Sequence, residues 1–99
     1  MALIVFRTRM AADAPESYAA RVEEIFGYAA QMPGFRWIKD FAADDGERVA
    51  LIEFDTEAQS RAWSQHLEHR KAQQEGRDLY YAEYHLQVCE VVRESHFER

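Results

Sequence analysis

The 99-residue chain reads as an α+β protein, a ferredoxin-like βαββαβ domain with one four-stranded antiparallel sheet and both helices on one face. Three observations predict this. Apolar residues recur with period two in some segments and near 3.6 in others, in the order strand, helix, strand, strand, helix, strand. Right-handed crossovers turn that order into a split βαβ sheet. The strands are apolar on both faces while the helices cover only one, so a second copy of the chain is expected to cover the other. The last strand, over 79–93, adds to this: roughly 15 residues at ~3.3 Å each reach ~50 Å, about twice what its neighbours pair. Its overhang is expected to cross onto the partner, giving an isologous two-fold dimer whose sheets pack into a barrel-like core.

Each element has a local reason. Ala2–Met10 opens with the run Ala2-Leu3-Ile4-Val5-Phe6, continuous rather than alternating, as suits a strand covered on both sides. Asp13-Ala14-Pro15-Glu16 predicts a helix start, with Asp13 as cap, Pro15 in the first turn and Glu16 at capping-box spacing. Tyr18, Val22, Ile25, Phe26 and Ala29 then share one helical face, and Met32-Pro33-Gly34 ends the helix. In Phe35–Ala42, alternation places Phe35, Trp37, Lys39 and Phe41 opposite Arg36, Ile38 and Asp40. Asp44-Asp45-Gly46-Glu47 is a hairpin turn leading into Arg48–Phe54. Thr56-Glu57-Ala58-Gln59 is a second capping box, opening a helix with Ala58, Ala62 and Trp63 inward and a break near His66-Leu67. A short continuation stops at Gly76. In the last strand Tyr80, Ala82, Tyr84, Leu86 and Val88 oppose Tyr81, Glu83, His85, Gln87 and Cys89. Nothing interrupts this order, so 1–99 is expected to be a single domain with its core over 2–93 and a short tail over 94–99.

Composition narrows the function classes. The chain is 47% hydrophobic, too apolar for a disordered segment, and carries 12 Lys+Arg against 18 Asp+Glu. A formal net charge of −6 with no basic block argues against nucleic acid as a partner. No apolar run approaches the ~20 residues that span a bilayer, and no basic leader with a cleavage site is seen, so no membrane partner and a cytoplasmic location are expected. Cys89 is the only cysteine, which excludes an intrachain disulfide. Aromatic residues make up 13% of the chain, six Phe, five Tyr and two Trp, and ask for a role beyond filling a small core.

Several stretches carry a resemblance. Met32-Pro33-Gly34-Phe35, Asp45-Gly46-Glu47-Arg48-Val49, and Ala62-Trp63-Ser64-Gln65-His66 followed by Glu68-His69, Gln73, Gly76-Arg77, Tyr81 and Gln87-Val88-Cys89-Glu90-Val91 resemble the antibiotic biosynthesis monooxygenase domain over about residues 2–93. The resemblance implies the dimeric α+β barrel. It also implies oxygen insertion into phenolic or polyketide-like aromatics with O2 and without metal or flavin. A related branch opens haem oxidatively; it shares a tryptophan matched by Trp63. It has a histidine where this chain has Gln73 and an asparagine where Arg7 and Thr8 stand, so haem is disfavoured. The alternative to catalysis is a small-molecule-binding or purely structural dimer of the same fold.

Against that background the residues divide as follows. Trp63 is either a core side chain or a rigid pocket wall. His66 and His69 lack the third and fourth ligands a metal needs, leaving a helix-break hydrogen bond or acid/base chemistry, with His66, nearer Trp63 in sequence, the candidate. Arg7, Arg9 and Arg36 on strands either form ion pairs with Asp40, Glu53 or Glu83, or one of them, Arg7 being the candidate, stabilises a substrate anion. Tyr80, Tyr84, Trp37 and Gln73 are the candidate substrate-binding residues, Trp37 being equally a candidate for the dimer face. Which face of the last strand lines a pocket stays open at this level.

Overall fold

The structure, a computed structural model, describes all 99 residues apart from the side chain of Leu67. Its elements are β1 (Ala2–Met10), α1 (Tyr18–Ala29), β2 (Phe35–Ala42), β3 (Arg48–Phe54), α2 (Glu57–Gln65), α3 (Leu67–Glu75), a π-helical turn (Gly76–Tyr80) and β4 (Tyr81–Glu90). The strands form one antiparallel sheet in the order β2-β3-β1-β4, the ferredoxin-like arrangement. Ile4, Ile52 and Phe54 from the sheet meet Ile25 and Ala29 of α1 and Trp63 of α2 in the core. Burial of these side chains, at ~25 cal/mol per Å2, is the main force holding helices to sheet.

Two chain reversals follow from local chemistry. Gly34 and Gly46 both have positive φ, 81° and 90°, which a side chain resists. At Gly34 a Cβ would also collide with the Gln59 amide, and that amide is occupied: Gln59 Oε1 accepts the Thr56 N–H at 3.1 Å while Thr56 Oγ1 accepts the Gln59 N–H at 3.1 Å. The capping box of α2 thus forms as the sequence predicts.

Elsewhere the structure corrects the sequence expectation. α1 begins at Tyr18, not near Asp13, and its N-cap Ser17 makes no capping bond because its hydroxyl is spent 2.9 Å from the Tyr80 phenol. The buried face of α2 is Ser60 and Trp63; Ala58 and Ala62 are exposed. β4 is shorter than expected. Leu79 and Tyr80 are drawn into the π turn, where the Tyr80 carbonyl accepts the Ala11 N–H at 2.8 Å, and the strand ends at Glu90, opposite Ala2, with the Val91 N–H donating to the Met1 carbonyl at 2.9 Å. The strand therefore has no overhang, and 91–99 carry no regular secondary structure.

Two irregularities in register also move side chains between faces. A shift between Phe35 and Trp37 sets Phe35 with Ile38 on the helix side, its ring edge-on to Phe54, and leaves Trp37 and Phe41 on the open face. A shift between Arg9 and Met10 brings Tyr81 to the helix side, beside Phe6 and Tyr84, rather than opposite Tyr84. Each bulge adds one residue to one strand and so inverts the alternation beyond it. The helix-side row of β4 is Tyr84, Leu86 and Val88, registered against Thr8, Phe6 and Ile4.

Candidate functional site

The site is organised by the break between α2 and α3. His66 adopts an extended conformation, φ −60° and ψ 134°, ending α2 and capping α3, where its Nδ1 accepts the Glu68 N–H at 3.2 Å. On an unbroken helix His69 would lie about 120° around the axis from Trp63, off its face. The break returns it, and the two rings stack with centroids 4.2 Å apart and planes 7° from parallel. His69 Nδ1 lies 3.1 Å from the Trp63 carbonyl. A carbonyl only accepts, so Nδ1 carries the proton and Nε2 is left as an acceptor. Burial pushes the His69 imidazole down to about 4, against a smaller upward pull from the Trp63 carbonyl, so the ring is neutral at pH 7.

Two hollows flank this stack on the helix side of the sheet. The first, about 250 Å3, lies under α1 and is lined by Val22, Ile25 and Phe26 with Tyr18, Tyr80, Arg48 and Asp40. The second, about 400 Å3, lies between α2 and β4, lined by Ser60, Arg61, Ser64, Arg77, Tyr84, Leu86 and Val88. They share Phe6, Ile52, Trp63, His69, Gln73 and Tyr81 as walls. Predominantly apolar lining with a few directed polar groups is what small-molecule sites have.

Most of those polar groups already have partners. The Tyr18 and Tyr81 hydroxyls are 3.0 Å apart; burial, then this bond, raises the Tyr81 phenol well above its ordinary value and keeps it protonated. Arg21 is held by Glu75 at 2.8 Å and Glu24 at 3.1 Å. Arg48 differs. Its guanidinium rests 5.9 Å from the Tyr18 ring, with no carboxylate at ion-pair distance among the described residues.

The structure gathers Trp63, Tyr80, Tyr84 and Gln73 around the hollows. It does not bring His66, Arg7 or Trp37 there. His66 is occupied as a cap and its ring packs between Tyr28 and Trp63. Arg7 lies on the open face, bound to Glu47 at 2.9 Å, and Trp37 is on that face too, 40% exposed. Arg9 pairs with Asp45 at 2.8 Å and Arg36 with Glu53 at 2.9 Å. Of the partners expected for these arginines, Glu53 and Glu83 are used and Asp40 is not. His69 and Arg48, not His66 and Arg7, line the first hollow. The signal for His69 was its position after the helix break; for Arg48, its place on β3 in register with Thr8, on the helix side.

No protein-family model matches the chain. Among curated proteins it is 28% identical over 81 residues to YqjZ, an uncharacterized protein of Bacillus subtilis strain 168, covering 82% of this chain and 71% of that one. Among solved structures, Rv0793 from Mycobacterium tuberculosis superposes with a TM-score of 0.83 at 14% identity, over 96% of this chain and 98% of that one. An antibiotic biosynthesis monooxygenase matches with 0.80 at 12% identity, over 94% and 100%. SnoaB, a cofactor-independent oxygenase from Streptomyces nogalater, matches with 0.74 at 17% identity, over 95% and 94%. The chain therefore has the α+β fold of the antibiotic biosynthesis monooxygenase structures.

Proposed function

We propose that the chain belongs to the antibiotic biosynthesis monooxygenase family and oxidises a phenolic, quinone-forming aromatic with O2, without a cofactor. The observation that carries this reading is the Trp63–His69 stack, set in the wall of an apolar hollow that also holds the carboxylate-free cation Arg48. A flat ring lies along the indole. His69 Nε2 accepts the phenol's hydrogen bond, and Arg48 stabilises the phenolate as the proton leaves. The electron-rich ring then reacts with O2 at carbon. With 1,4-dihydroxynaphthalene, a C–O bond forms at C2, the O–O bond breaks and water departs, leaving 2-hydroxynaphthoquinone, so both electron pairs come from the substrate.

Mass spectrometry under 18O2 tests this directly. One labelled oxygen per hydroxyquinone, formed in the presence of a chelator and lost in His69→Ala and Trp63→Phe, is the expected result. Unlabelled quinone formed at the buffer rate would defeat the proposal. One observation favours the alternative of a binding protein without turnover: Tyr18, Tyr81, Tyr80 and Arg21 all have partners within the fold, and an imidazole near 4 is a weak base. Tight aromatic binding without labelled product would select that reading.

The same proposal includes a second copy of the chain. Trp37 and Phe41, 40% and 50% exposed, share the open face with Leu3, Val5 and Leu51, an apolar area that a second such sheet would cover. Light scattering should give twice the mass of the chain, and Trp37→Glu should halve it. A monomer at micromolar concentration would remove the dimer.

A further inference from the structure

The second hollow has a charge character that the chain as a whole lacks. The chain's formal net charge is −6, yet the charged side chains around this hollow, besides neutral His69, are Arg61, Arg77 and Glu57. Glu57 is spent on Arg61, its carboxylate oxygens 2.9 and 3.0 Å from Nη2. Arg77 remains. It meets no carboxylate at ion-pair distance among the described residues, and the neighbouring Asp78 is engaged by the Gln74 amide at 3.0 and 3.1 Å. Its one side-chain partner is the Tyr84 hydroxyl, which accepts from Nη1 at 3.0 Å. That bond fixes the guanidinium beside the apolar row Tyr84, Leu86 and Val88 and leaves its other donors free.

The two hollows also share lining residues, Trp63, His69, Gln73 and Tyr81 among them. We infer that they form one elongated site for an aromatic ligand with an anionic arm, its rings along Trp63 and Tyr81 and its carboxylate on Arg77. This deepens the aromatic-substrate reading and rests on it. The fit is chemical: a guanidinium with free donors binds a carboxylate in a two-point contact, and the exposed apolar row beside it gives the ligand's rings a surface to cover. A neutral phenol of the same ring size forfeits the contact.

Anaerobic calorimetry separates this inference from the question of turnover. The probes are 6-hydroxy-2-naphthoic acid and 2-naphthol. The acid is expected to bind about tenfold more tightly. In R77Q that preference should vanish, with 2-naphthol unaffected; in R48Q both probes should weaken alike. Equal affinities in the wild type would overturn the inference, as would a preference that survives R77Q, or one lost in R48Q instead. Failure of both probes to bind would overturn it too. If the preference behaves as expected but no labelled product forms under 18O2, the ligand assignment stands and the oxygenase reading falls.

Discussion

The two faces of the sheet are built from the same four strands and hold opposite kinds of chemistry. On the helix side, Ile4, Ile52, Phe54 and Trp63 are buried, the arginine Arg48 has no acid, and His69 is neutral. On the open side, Arg7, Arg9 and Arg36 are each matched to a carboxylate, and Trp37 and Phe41 stand in solvent. These open-face cations neutralise acids; beside the hollows, Arg21 and Arg61 do the same, while Arg48 and Arg77 have no carboxylate at ion-pair distance among the described residues. A residue's surroundings therefore depend on the face it reaches, and for Phe35, Trp37 and Tyr81 a bulge sets that face.

The contrast is breakable by experiment. The largest effect belongs to the tryptophans. Trp63→Ala should lower unfolding free energy by about 3–5 kcal/mol in urea, since a 2%-exposed indole leaves a cavity. Trp37→Ala should cost far less and show itself in the fraction of dimer. Comparable losses from both would erase the distinction between the faces.

Next comes pH. The unfolded chain protonates His69 near 6.5, whereas the folded chain holds it neutral to about 4. The native state is then fully stabilised above 6.5 and loses up to about 3 kcal/mol as pH falls to 4. His69→Gln should flatten that part of the stability profile relative to wild type. Parallel profiles would mean that His69 is more solvated than its place beside Trp63 requires.

Smaller still, Tyr81→Phe removes the partly buried Tyr18–Tyr81 hydroxyl pair and should cost about 1 kcal/mol by denaturant melting. Least of all, Arg7→Gln, which breaks an exposed pair with Glu47, should leave the urea midpoint within error at moderate salt and leave aromatic binding unchanged. A loss of binding in that variant would restore Arg7 to the site.

Much of the fold was legible because local rules and tertiary packing agree. The capping box at Thr56, the turn at Gly46, the face of α1 and the break at His66 all follow from short spans of sequence. The site was legible in part. Trp63, Tyr80 and Tyr84, expected from the placement of large aromatics, and Gln73, expected from the resemblance, do line the hollows. His66 and Arg7 do not line the hollows, for reasons that local patterns do not contain. A histidine at a break is drawn into capping, and an arginine on a strand takes whichever acid the neighbouring hairpin presents. The strand alternation failed where a bulge intervened, and the α1 start failed where Ser17 met a tyrosine 63 residues away.

The break at His66 also limits how the chain can change length. Adding or deleting one residue between Trp63 and His69 would rotate the imidazole by ~100° about its helix and carry it off the indole. The hairpin at 43–47, exposed but for Glu47, contributes no residue to either hollow and carries no such constraint. In anyone's redesign of this scaffold, insertions belong in that hairpin, and the six-residue spacing from Trp63 to His69 is the interval to keep.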